Sequence, residues 1–167
     1  MTIKKMAFLM LLGSISTWAT AMSKPYDAVA GLTLRSGKPC IFSQEPLPQE
    51  PPDYMKDMGL AFRVFSESPS APGYLWDAWF KVWKKPLPDS ASTCVAYGEA
   101  QSDITRHPAK PLPLDTPLSF DMDGQYGRHN VRFCLRKDSQ GKRYLSTAVR
   151  KDGVSACTAD PLKNSHP

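Results

Sequence analysis

Long apolar stretches are missing from this chain after its first dozen residues. With them goes any later segment that could span a bilayer as a helix, which takes roughly 20 apolar residues. Histidine is scarce: His107 stands in a proline-rich stretch, His129 follows "YGR", and His166 is near the end. No H-E-x-x-H, G-x-S-x-G or phosphate-loop motif occurs. Dense lysine and arginine runs are absent too, so a net charge of +5 makes no electrostatic case for nucleic acid. The sequence therefore predicts no catalytic residues, no metal ligands and no cofactor.

The first residues are a different matter. Lys4 and Lys5 precede the apolar run Met6-Ala7-Phe8-Leu9-Met10-Leu11-Leu12, which passes into small residues and ends at Ala19-Thr20-Ala21. Those are the three parts of a secretory signal, with cleavage expected before Met22. The expected organisation is a signal peptide over 1–21, one β domain over 22–157 and a flexible C-terminal tail over 158–167. Export to the periplasm as a soluble protein follows, with no stable membrane anchor, because no cysteine stands at the new N-terminus to carry a lipid.

All four cysteines, Cys40, Cys94, Cys134 and Cys157, lie beyond the signal. An even count in an exported chain predicts two disulfides, with three pairings open. No two of them form a C-x-x-C pair, which argues against zinc or thiol-redox chemistry.

Cys134 sits in the clearest structural signal of the chain, "NVRFCLRKDSQGKRYLSTAV". The stretch alternates apolar and polar residues, turns over at Asp138–Lys142, and alternates again. A type I turn with Gly141 in the left-handed region pairs Asp138 with Lys142. Counting outward places Leu135 opposite Leu145, Phe133 opposite Thr147 and Val131 opposite Val149 on one apolar face. The other face pairs Arg136 with Tyr144, Cys134 with Ser146 and Arg132 with Ala148. Cys134 thus points away from the main core, toward a neighbouring strand, a covering loop or the tail.

Further β-prone stretches fall near 29–35, 39–43, 59–66, 74–83, 93–97 and 117–123, making about eight short strands with the hairpin. Sixteen prolines, all beyond the signal, fill the separators and forbid long helices. The expected fold class is all-β, a disulfide-stapled antiparallel sandwich of immunoglobulin-like type.

"YLWDAWFKVWKK" fits a helix stripe as well as a strand; its aromatic content and the prolines that follow favour strand. Trp79, Lys81 and Trp83 then share the side away from the core. Exposed tryptophans among charges are typical of protein-binding hot spots, although tryptophans so placed also pack under loops or against lysine stems. Arg132 and Arg136 form a second candidate partner-binding patch. "DMDG" at 121–124 opens like a calcium loop but lacks the remaining ligands, and reads as a strand entering a turn. Asp121 and Asp123 share a strand face, with no neighbouring sequence predicting the apolar burial that would raise one pKa.

The segments "GLTLRSGKPCIFS", "TCVAYG", "PLPLDTPLSFDMDG" and "YGRHNVRFCLRKDSQGKRYL" resemble a family of exported type VI secretion immunity periplasmic lipoproteins. They cover about half of the chain beyond the signal. The lipid-attachment cysteine of that family is missing here, since Ala21 is followed by Met22. The resemblance implies a non-catalytic protein whose partner is a toxin effector that it binds and neutralises. An adhesion or pilus component, and a periplasmic hydrolase or hydrolase inhibitor presenting the loop around 45–58, are the alternatives of other classes.

Overall fold

The computed structural model describes residues 27–99 and 102–164. The signal peptide expected over 1–21 lies outside the described residues. Ten strands are found among those described: β1 Asp27–Arg35, β2 Lys38–Ser43, β3 Leu60–Ser66, β4 Gly73–Phe80, β5 Val95–Ala96, β6 Ile104–His107, β7 Pro117–Gly124, β8 Gly127–Lys137, β9 Arg143–Lys151 and β10 Val154–Pro161. Among the described residues the helical content is one short 3-10 turn, Asp53–Met58.

The all-β expectation holds. The immunoglobulin-like sandwich of two separate sheets is not what the pairing shows, because all ten strands connect into one sheet, curled as a half-barrel. Its long wall runs β6-β4-β3-β7-β8, antiparallel throughout. At β8 the edge is shared between two partners. Asp27–Val29 of β1 pair in parallel with Arg128–Asn130, and β9 pairs with the far half from Phe133 to Lys137. From Ala30 onward β1 leaves β8 and pairs with β2, which in turn holds β5. This bend brings β1, β2 and β5 across the inner face of the long wall.

Alternation along the wall explains the core. Leu60, Phe62 and Val64 of β3, Trp76, Ala78 and Phe80 of β4, Leu118, Phe120 and Met122 of β7, and Val131 and Phe133 of β8 all point inward and are buried. Ala30, Leu32, Ile41, Val95 and Tyr97 meet them from the curled end. Trp76 is the hub, its ring centroid 5.6 Å from Tyr97, 5.9 Å from Phe120 and 6.4 Å from Phe62. Burying one such aromatic side chain contributes on the order of 2–3 kcal/mol.

Turn chemistry sets the registers. Ser36 and Gly37 both have positive φ, the form of two-residue hairpin that matches strand twist, and Arg35 pairs with Lys38 across it. Asp152 and Gly153 repeat the device between β9 and β10.

The β8–β9 hairpin forms as the alternation predicts from Lys137↔Arg143 through Phe133↔Thr147, with Gly141 at φ 79°. The two outermost expected pairs do not form. Arg132 and Val131 face β7, and Ala148 and Val149 face β10, because β9 swings away to pair with the last strand. Val149, expected in the core, is therefore exposed.

The cysteines pair as Cys40–Cys94 and Cys134–Cys157. Cys134 does reach outward, and its partner lies on β10. The expected flexible tail over 158–167 differs from what is found. Thr158–Pro161 belong to β10, the Leu162 amide donates to the Leu145 carbonyl at 3.0 Å, and the Asn164 side chain both accepts from and donates to the Leu32 backbone. Residues 165–167 lie outside the described residues. Among those described, no helix is long and apolar enough to cross a membrane.

Candidate functional site

On the outer face of the wall the strand registers build a grid of side chains, three deep and four wide. One row runs Trp79, Ala61, Asp123, Arg128; the next Asp77, Arg63, Asp121, Asn130; the third Tyr74, Phe65, Ser119, Arg132. Neighbours within a row sit on adjacent strands, about 4.8 Å apart in the pairing direction. The grid is aromatic along β4 and basic along β8, with acids between.

Hydrogen bonds fix the centre. Asn130 Nδ2 donates to Asp121 Oδ1 and, at 2.6 Å, to Ser119 Oγ, while Ser119 Oγ donates to the same Asp121 oxygen at 3.2 Å. Arg63 donates to Asp123 Oδ2 at 3.1 Å, and its Nε lies 3.6 Å from Asp77 Oδ1, which is buried without a hydrogen bond. Asp121 itself is only 9% exposed. Burial raises its carboxyl above the usual range, against the opposing pull of its hydrogen bonds to Asn130 and Ser119 and of the Arg128 and Arg63 charges. The sequence suggested no such burial. It comes from position in the middle of a wide sheet, which local alternation does not report.

A cavity of about 320 Å³ opens beside this carboxyl, lined by Ala28, Phe65, Asp121, Arg128, Asn130 and Arg132. Past Phe65 a second hollow of about 210 Å³ runs to Glu67, just after β3, and to Arg150, Gly153 and Ser155 around the β9–β10 turn. The Cys134–Cys157 bond ties that hairpin to the grid, as do Ser155 Oγ donating to Glu67 and Arg136 donating to the Thr158 carbonyl. Arg132 uses Nε to hold Glu67 at 2.9 and 3.1 Å. Arg128 is exposed and donates no hydrogen bond among the described residues, which leaves its guanidinium facing solvent at the cavity mouth.

The residues singled out from sequence are dispersed. Trp79 and Arg132 share the outer face at diagonal corners of the grid, about 20 Å apart by strand spacing and rise. Trp79 is half-buried, its indole donating to the Met58 carbonyl at 3.1 Å. That approach requires Gly59, at φ +65°, where a Cβ would stand 2.8 Å from the indole nitrogen. Arg136 lies further along β8, ion-paired with Asp115 at 2.8 Å.

Trp83 and Lys81 leave the face. β4 ends at Phe80, and Trp83 folds back onto the core, 5.0 Å from Phe80 and 5.5 Å from Phe62, donating to the Pro86 carbonyl. Lys81 is exposed, its amide bonded to Asp103. Strand alternation could not foresee a strand ending three residues early. His129 is 3% exposed and points inward, Nε2 3.0 Å from the Tyr126 carbonyl. Burial lowers its pKa, against opposing contributions from that hydrogen bond and from Glu45.

No cluster of three or more His, Cys, Asp or Glu at metal-binding geometry occurs among the described residues. A comparison of the chain with protein-family models, curated proteins and solved structures finds no match.

The outer face offers charged groups of both signs, an aromatic corner and a cavity, all carried by paired strands. Such a surface recognises by shape and charge, with little conformational entropy left to lose on binding.

Proposed function

We propose that this chain is a periplasmic, non-catalytic immunity-type protein that binds and neutralises a secreted toxin effector, using the outer face of its sheet. One observation carries the reading. A grid of registered side chains, clamped along one margin by Cys134–Cys157, leaves the Arg128 guanidinium exposed beside a cavity, with no hydrogen bond among the described residues. Inhibiting an enzyme by occlusion needs a pre-organised surface, and strand-borne residues under a disulfide supply one. The N-terminal signal pattern and the type VI immunity resemblance supply the compartment and the kind of partner. In this reading Trp79 anchors one corner and the β8 arginines steer an acidic partner loop to the other.

The test is protection. A strain lacking this protein is expected to be killed in contact co-culture with a parent that carries the secretion apparatus, and to be rescued by the wild-type chain. Arg128→Glu combined with Trp79→Ala is expected to lose at least tenfold of that rescue while the purified variant still unfolds cooperatively. Survival of the unprotected strain at the parental level would overturn the reading.

A further inference from the structure

A separate cleft lies where the β1–β2 turn, the segment after β5 and the strand start of β9 come together. It has a volume of about 350 Å³ and shares no lining residue with the outer-face cavity. That volume lies within the range of small-molecule sites. Its charged lining residues are Lys38, Lys110 and Arg143, with no carboxylate among them. Glu99, the acid next to Gly98 in sequence, is held by Lys85 at 2.7 Å. Arg143 Nη1 donates to the Gly37 carbonyl at 3.1 Å, and Lys110 Nζ to the Tyr74 carbonyl at 3.4 Å, so both cations meet neutral acceptors and neither forms an ion pair among the described residues.

The cleft also has apolar lining. Ala109, Pro111 and Leu112, flanking Lys110, supply it, within a stretch that also holds Pro108 and Pro113. Tyr97 fixes that stretch in place. Its hydroxyl is 2.7 Å from the Lys110 carbonyl and 2.8 Å from the Leu75 carbonyl, and it accepts from the Lys110 amide at 3.1 Å. Burial pushes the phenol up to about 12, so it stays protonated and the strap holds across the physiological range. Three cationic residues line this one cleft with no carboxylate among its lining residues, which makes it favourable for an anion.

We propose that this cleft binds an organic anion, a carboxylate or phosphate group seated among Lys38, Lys110 and Arg143 with a small apolar body against Pro111 and Leu112. The site is independent of the toxin-binding reading and stands if that reading fails.

The experiment is an NMR titration of the purified, disulfide-bonded protein with phenyl phosphate, benzoate and, as a neutral control, benzyl alcohol. Saturable shifts at the Gly37 and Gly98 amides are expected with the two anions and not with the alcohol, and the tighter of the two identifies the preferred head group. Lys38→Gln combined with Arg143→Gln is expected to weaken binding at least tenfold with an otherwise unchanged spectrum. Lys110→Gln, which keeps the backbone bonds to Tyr97, gives a second reading should the double variant fold poorly. Equal shifts with benzyl alcohol, unsaturable shifts, or undiminished binding in a folded charge-neutral variant would overturn the proposal.

Discussion

The four strands β3, β4, β7 and β8 carry two different molecules on their two faces. Inward, Phe62, Trp76, Phe120 and Phe133 interlock with residues from β1, β2 and β5 in one core. Outward, at the intervening positions, Arg63, Asp77, Asp121 and Asn130 form a polar row held together with its grid neighbours Ser119 and Asp123. One-residue alternation separates the part that makes the fold stable from the part that gives it a distinctive surface. Substitutions on the two faces should therefore differ in kind as well as in size.

The largest effect is expected inward. Trp76→Ala should cost about 3–5 kcal/mol, since the cavity it leaves touches Phe62, Phe120 and Tyr97, and chemical denaturation would measure it. A cost below about 1 kcal/mol would mean that the inner face is not a single packed core.

Next come the disulfides, one on each side of the comparison. Cys40–Cys94 sits in its own small apolar cluster with Phe42 and spans 54 residues, while Cys134–Cys157 holds the outer hairpin and spans 23. Loop-closure entropy predicts losses of about 4 and about 3.5 kcal/mol when each pair is replaced by serine. Thermal unfolding of the two double variants checks the order.

A pH titration of stability separates the faces by sign. His129, inward, has a lowered pKa, so its contribution is present at neutral pH and is lost as pH falls through the unfolded value of about 6.5. Asp121, outward, has a raised pKa, so the folded protein takes up its proton first. Its burial penalises stability at neutral pH and is relieved as pH falls through its raised folded value toward the ordinary 3.8. His129→Gln should flatten the upper limb of the stability profile, and Asp121→Asn should flatten the lower limb and raise stability at pH 7. If neither slope changes, the two groups are not titrating as their burial dictates.

The smallest effect is expected from Arg128→Gln. Exposed and without a hydrogen bond among the described residues, Arg128 should change stability by less than about 0.5 kcal/mol, as judged by the denaturation midpoint. A larger loss would show that the outer grid is a structural network rather than a free surface.

Much of the fold was legible because its signals are local. The Asp138–Lys142 turn and five pairs of the β8–β9 hairpin follow from alternation and one glycine. β10 is equally readable in principle, since "KDGV" at 151–154 is a strong hairpin turn, but its flanks alternate weakly, so the sequence reading finds no strand there and places Thr158–Pro161 in the tail. What escaped prediction is nonlocal. β1 changes partner after Val29, β9 leaves β8 after Thr147, and nothing in either strand's pattern marks the departure. Of the site, Arg132 and Trp79 were legible as outward residues. The Asp121–Asn130–Ser119 centre was not, because it exists only once β7 and β8 are in register in the middle of the wall.

The Asn164 amide, closed on both backbone groups of Leu32, joins positions 132 apart in the chain. Together with the parallel seam between Asp27–Val29 and Arg128–Asn130, it means that the early strand cannot be seated until β8 and the segment beyond β10 have both been made. Pairings between such distant positions predict folding on the order of milliseconds to seconds, typical of β topologies. Until that closure, the β1–β2 ribbon would be held by its own turn, by β5 and by the Cys40–Cys94 bond, waiting for a docking place that lies far along the chain.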